Sequence, residues 1–140
     1  WYKDNKTRIN IMKKKILLVN ANYYENISHG LLESAKKLLP RNFKIKIINV
    51  PGVFFFFLTI SKNIKKYDGF LALGCVIKGK TPHFDFISSA STDAIMLLSI
   101  NNKKPIGNGI ITCLNMKQAI ERKVKGREAA KAILSVLSQK

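Results

Sequence analysis

The densest chemistry in this 140-residue chain is a histidine, His83, that follows a loop of Lys78, Gly79, Lys80 and Thr81, closed by Pro82. Two ammonium groups and a glycine make a natural seat for an anion. If a helix begins after the loop, its first backbone N–H groups and the positive end of its dipole add to that attraction, so phosphate is the expected guest. An imidazole beside a bound anion can carry protons for a reaction there, and its place in a loop favours a functional role. His29, the other histidine, sits inside a helical stretch and reads as an ordinary residue.

Some element must hold that loop. The residues before it, Phe70 to Ile77, form an apolar run too continuous to have a wet face, which reads as a buried strand. Pro82 suits the first turn of a helix, where its missing N–H costs nothing. After it, Phe84, Ile87, Ser91, Ala94, Ile95 and Leu98 recur at spacings of three and four. Gly74 to Thr81, GCVIKGKT, also matches the phosphate-loop pattern GxxxxGK[ST]. Against that reading, Cys75 to Ile77 look like strand rather than a phosphate-wrapping loop, and Pro82 removes an N–H at the helix start. The later strand IGNGIITC also offers no acid for Mg²⁺. A P-loop nucleotide-binding protein is therefore a remote alternative.

Apolar segments alternate with helical ones along the whole chain. ILLVN (16–20) reads as a strand, Ile27 to Leu39 as a helix ended by Pro40, and Phe43 to Val50 as an edge strand with alternating charges. Val53 to Lys66 contains a β-prone aromatic block, yet the order of units argues for a crossover helix. Ile106 to Cys113 reads as a fourth strand weakened by Gly107 and Gly109. Met116 to Lys123 and Gly126 to Leu137 read as helices, the second burying Ala129, Ala130, Ile133, Val136 and Leu137. This pattern predicts a parallel sheet covered on both faces. In such sheets ligands bind beyond the carboxyl ends of the strands, which here are the loops 20–26, 51–55, 78–83 and 113–116.

Composition bounds the class. The length suits one domain with one core, and residues 1–12, with no clean period, read as a basic peripheral extension to a domain at 13–140. Hydrophobic residues make up 46% of the chain. No apolar run reaches the roughly 18 residues of a membrane span, and no secretory signal is legible, so a cytoplasmic place is expected. Cys75 and Cys113 each sit in a strand without CxxC spacing and read as reduced, buried thiols. The formal charge is +17, from 25 Lys and Arg against 8 Asp and Glu. The lysines are spread from Lys3 to Lys140, without interleaved aromatics, which favours a solvated surface over a dedicated nucleic-acid site without excluding one. Asp85 and Glu25 are the only acids near the loops and are not paired for hydrolysis. No GxSxG, HExxH or dinucleotide fingerprint occurs. Arg122, at the end of a helical stretch, is by default a solvated charge.

Several segments in order resemble one family. From about Lys14 to Leu137 the chain is similar to lumazine synthase, the riboflavin-pathway enzyme: ALGCVIKGKTPHFDF resembles its histidine segment, VPG plus an aromatic its second loop, GIIT with QAIER its fourth strand and helix, and KGREAA the start of its last helix. The resemblance implies a three-layer α/β/α sandwich, flavodoxin-like, with a four-stranded parallel sheet. It implies a homo-pentamer, or pentamers stacked into decamers or shells, with active sites shared between subunits. The implied reaction condenses 5-amino-6-ribitylaminouracil with 3,4-dihydroxy-2-butanone 4-phosphate, through an imine, loss of phosphate and ring closure, without metal or redox cofactor. On matching positions, His83 would shuttle protons. Lys78, Gly79, Lys80, Thr81, Arg122 and Lys125 would hold phosphate. Tyr23 would stack on the pyrimidine, the backbone of Val76 and Ile77 would bond its edge, and Pro51, Gly52, Val53, Phe54 and Phe55 would face the ribityl chain.

The chain also departs from that pattern. Phe55 and Phe57 stand where the family usually has a glutamate and a proline, removing a carboxylate that would bond ribityl hydroxyls. Asn108 stands where a neighbour's aromatic would complete a stacking pair. The stretch from Arg122 to Lys125 is shorter than usual. These departures predict weaker substrate binding and leave a second reading, a shell-forming or ligand-binding relative with little or no activity.

Overall fold

The computed structural model describes residues 13–139. The expected extension, 1–12, and residue 140 lie outside the described residues, as does the side chain of Phe54. Four strands, β1 (Lys15–Ala21), β2 (Lys44–Val50), β3 (Gly69–Ile77) and β4 (Ile106–Cys113), form one parallel sheet in the order β2-β1-β3-β4. Helices α1 (Glu25–Leu38), α2 (Phe56–Asn63), α3 (His83–Asn102), α4 (Met116–Arg122) and α5 (Gly126–Leu137) alternate with the strands, and a 3-10 turn, Val53–Phe55, leads into α2. The expected three-layer, flavodoxin-like sandwich is the fold found.

Successive side chains of β1 and β3 point to opposite faces, and both faces are covered. Ile16, Leu18, Leu71 and Leu73 pack under α1, α4 and α5, while Leu17, Val19, Phe70 and Ala72 pack under α2 and α3. That double burial is why both strands read as unbroken apolar runs. β2 is an edge strand, as its alternation predicts, with Lys44 and Lys46 exposed. The aromatic block resolves as turn plus helix because α2 needs one apolar stripe over the sheet, and Phe56 and Ile60 supply it from full burial.

Three details differ from expectation. Pro82 caps α3 rather than entering it: its carbonyl accepts the N–H of Asp85 (3.1 Å) and Phe86 (3.2 Å), and the helix begins at His83. On α5, Leu134 is buried and Val136 is exposed. At roughly 100° per residue, Leu134 falls nearer than Val136 to the centre of the stripe set by Ala130, Ile133 and Leu137. Gly107 and Gly109 are seats for α5 rather than weak points. A Cβ on Gly107 would overlap the Leu71 side chain and crowd the Ala129 carbonyl, so their bareness lets a helix backbone lie against the strand.

Candidate active site

The site arises from a step in the sheet. β1 and β2 end level, Ala21 opposite Val50, and Leu73 lies opposite Asn20. β3 then runs on for residues that only β4 accompanies, through Cys75 opposite Ile111 to Ile77 opposite Cys113. The edge of Cys75, Val76 and Ile77 facing away from β4 therefore has no strand beside it. Backbone polar groups of Val76 and Ile77 on that edge have no strand partner and must find other ones.

A cavity of about 390 Å³ fills the step, within the usual range for small-molecule sites. Cys75, Val76 and Ile77 make its floor, Tyr23 and Tyr24 one wall, Gly52 and Val53 another, and His83 with Ile87 its rim. Each wall has a local cause. Gly74 lets the ring of fully buried Phe56 lie on β3, since a Cβ there would come within 2.9 Å of it, and this draws the 51–55 turn over the strand ends. Tyr24, half-buried against the α1 core, holds Tyr23 edge to face at 4.9 Å, so the 74% exposed Tyr23 ring has a fixed neighbour. Burial first, then Tyr23 and Cys75, push the Tyr24 phenol above its ordinary pKa.

The loop from Lys78 to Pro82 is exposed and anchored at both ends. The Lys78 N–H donates to the Cys113 carbonyl (2.8 Å), and the Thr81 hydroxyl accepts the His83 N–H at 3.4 Å. Gly79 stands in open space, with nothing within 4 Å of a Cβ built on it. Cations and helix start thus meet beside the cavity mouth, with the exposed His83 between them.

Tyr23, Gly52, Val53, Val76, Ile77 and His83 line one cavity in one chain. Pro51 and Phe55 are exposed on the neighbouring turn without lining it, and Phe54 shares that turn. Asn108, Arg122 and Lys125 are not brought into the cavity by their own chain. Asn108 accepts the Ile110 N–H (3.0 Å) and borders a separate hollow of about 130 Å³ with Ser88, Ser91 and Thr112. Arg122 donates from Nη1 to the Thr112 carbonyl (3.2 Å), and Lys125 lies 3.9 Å from Glu128. Sequence reasoning missed Ala21, Tyr24, Cys75 and Ile87 as lining residues. Ile87 could have been found, since it lies one helical turn after His83.

Cys75 and Cys113 are free and buried, as expected. Burial first, and then the Cys113 thiol, push the Cys75 thiol up to about 12. The unfolded chain ionises this group at about 8.5. The folded state therefore keeps a proton that the unfolded state releases, and stability present below that pH is lost as pH rises toward 12. Urea melts should weaken across this window, and Cys75→Ala should flatten the loss. Iodoacetamide at neutral pH should leave both thiols unmodified until the chain unfolds. Labelling of the folded protein at the rate of a free thiol would contradict this burial.

The family model described as 6,7-dimethyl-8-ribityllumazine synthase matches residues 13–140. Curated relatives of the same description include the protein of Bartonella tribocorum (strain CIP 105476 / IBS 506), 40% identical over 92% of this chain and 93% of its own. That of Agrobacterium fabrum (strain C58 / ATCC 33970) is 38% identical over 91% of this chain and 95% of its own. That of Bartonella henselae (strain ATCC 49882 / DSM 28221 / CCUG 30454 / Houston 1) is 41% identical over 94% of this chain and 92% of its own.

Proposed function

Since the chain belongs to the 6,7-dimethyl-8-ribityllumazine synthase family, we propose that it condenses 5-amino-6-ribitylaminouracil with 3,4-dihydroxy-2-butanone 4-phosphate to form 6,7-dimethyl-8-ribityllumazine. The observation that carries this reading is His83 at the rim of an aromatic-walled cavity, one residue from a cationic loop. The cavity suits a planar heterocycle: Tyr23 offers a ring to stack on, and the unaccompanied edge of β3 offers backbone groups to its polar rim. The loop 78–81 holds the phosphate outside the apolar space. His83 moves protons as the amine adds to the ketone, water leaves to give the imine, phosphate is eliminated and the ring closes with loss of a second water.

Arg122 and Lys125 act from a second copy of the chain. Support comes from their absence from the cavity of their own chain and from α3, whose outer side leaves Phe86, Met96, Leu97 and Ile100 exposed. Such an apolar strip suits burial against another subunit, as in a pentamer or larger assembly. No helix among the described residues is long and apolar enough to cross a membrane.

The test mixes the two substrates with purified protein and follows phosphate release beside lumazine fluorescence. Equal appearance of both is the expected result, and assembled protein giving neither would leave a ligand-binding relative. Phe55, in place of a carboxylate, favours a raised KM for the ribityl substrate. Arg122→Gln should raise the KM of the phosphorylated substrate about tenfold to a hundredfold, the worth of one charge-assisted hydrogen bond, with the other KM little changed. Co-assembly of Arg122→Gln with His83→Ala subunits should restore a fraction of the activity if the two residues meet across an interface.

A further inference from the structure

The cations that look scattered along the chain are gathered by the topology at one end of the molecule. In a parallel sheet with returning helices, every strand begins where a helix ends, at the edge opposite the cavity. Lys13, Lys14 and Lys15 stand at the start of β1, and Lys44 at the start of β2, paired with Lys15. The end of α1 adds Lys36, Lys37 and, just beyond it, Arg41. Lys62 closes α2, with Lys65 and Lys66 after it, and Lys103 and Lys104 follow α3. Among the described residues twelve cations meet two acids there, and both acids are engaged: Glu33 lies 3.7 Å from Lys36, and Asp68 accepts the Lys15 N–H at 2.8 Å.

Helix C-termini favour a few cations through their dipoles, but this excess is far larger than dipoles need. We propose that the amino edge of the sheet is a nucleic-acid-binding face that grips the phosphate backbone of a duplex without reading its bases. Charge complementarity names the partner, and the absence of exposed rings at this end among the described residues defines the mode. The rings at this end, Phe43 and Tyr67, are buried or half-buried against the core, Tyr67 standing 6.1 Å from Phe70. A membrane surface would call for large apolar side chains among the cations. Of those exposed, Ile45 on β2, Ile100 near the end of α3 and Val136 near the end of α5 come one from each element, and Phe86, Met96 and Leu97 lie further along α3 from this edge.

Fluorescence anisotropy with a labelled, mixed-sequence DNA duplex tests the proposal on the protein as it assembles in solution. With about four phosphate contacts, a fourfold rise in salt should weaken binding about a hundredfold. The triple variant Lys37→Gln/Lys65→Gln/Lys66→Gln should lower the salt slope by about two to three. A charge-matched variant elsewhere, Lys117→Gln/Arg127→Gln/Lys131→Gln, should stay within about twofold of the parent under the same salt conditions. All six side chains are exposed, so both variants keep the fold. Absence of binding at low salt, equal losses in the two variants, or tighter binding to vesicles of phosphatidylserine and phosphatidylcholine would each overturn the proposal.

Discussion

Replacing His83 by alanine is expected to lower kcat about a hundredfold to ten-thousandfold, the span usual for one acid–base group, while leaving both KM values and the melting temperature nearly unchanged. The structural cost is small for identifiable reasons. The imidazole is exposed, at the first residue of α3, and the bond at that position comes from the backbone N–H to Thr81, which alanine retains. Alanine is also a good helix former, so stability should move by less than about 0.5 kcal/mol. A fall in rate would therefore be chemical. Exogenous imidazole should recover part of it, because the side chain leaves a gap at an open rim rather than a sealed hole. A variant within about threefold of the parent rate would remove proton transfer from His83 and leave the cavity acting by positioning alone. Such a result would spare the family assignment, which rests on the whole chain rather than on one ring.

How much of this was legible depended on the range of the interactions involved. β3 and its loop could be read because burial on both faces writes itself into consecutive residues, Phe70 to Ile77, and because Pro82 marks where the next helix starts. The edge position of β2 was legible for a similar local reason, since Lys44 and Lys46 alternate with apolar neighbours. The cavity was not. It depends on how far β3 outruns β1, and on Gly74 admitting the ring of Phe56 from α2, which brings the 51–55 turn over the strand ends. Nothing in the local pattern distinguishes that glycine from one that merely weakens a strand, and Gly107 and Gly109 misled for the same reason. The gathered lysines escaped notice because they are far apart in sequence and meet only through the alternation of strand starts and helix ends. Tyr23, Arg122 and Lys125 came from resemblance alone, and the geometry adds that Tyr23 stands apart from the other two within one chain.

Gly126→Ala is expected to destabilise the protein by about 2–4 kcal/mol, lowering the melting temperature on the order of 10 °C. On propensity alone the sign would be the reverse, because alanine is the better residue in a helix by up to about 1 kcal/mol. Nor does backbone conformation require glycine here, since no glycine among the described residues has positive φ. Space decides. A Cβ on Gly126 would overlap the Leu31 carbonyl oxygen and lie 2.8 Å from the Ser34 hydroxyl, which itself donates to Leu31 at 3.0 Å. A backbone carbonyl inside α1 cannot swing aside as a side chain could, so relief requires the start of α5 to move off α1. That shift would uncover Ala129, Ala130 and Ile133, the stripe that fills the core beneath α1. It would also carry along Lys125 and, through the short link before it, Arg122. Stability and phosphate affinity should therefore fall together. Gly79→Ala, where a Cβ meets nothing within 4 Å, should change stability by less than about 0.5 kcal/mol in parallel urea titrations at one protein concentration. If the two variants unfold at the same urea concentration, the close approach of α1 and α5 is not what holds this end of the molecule together.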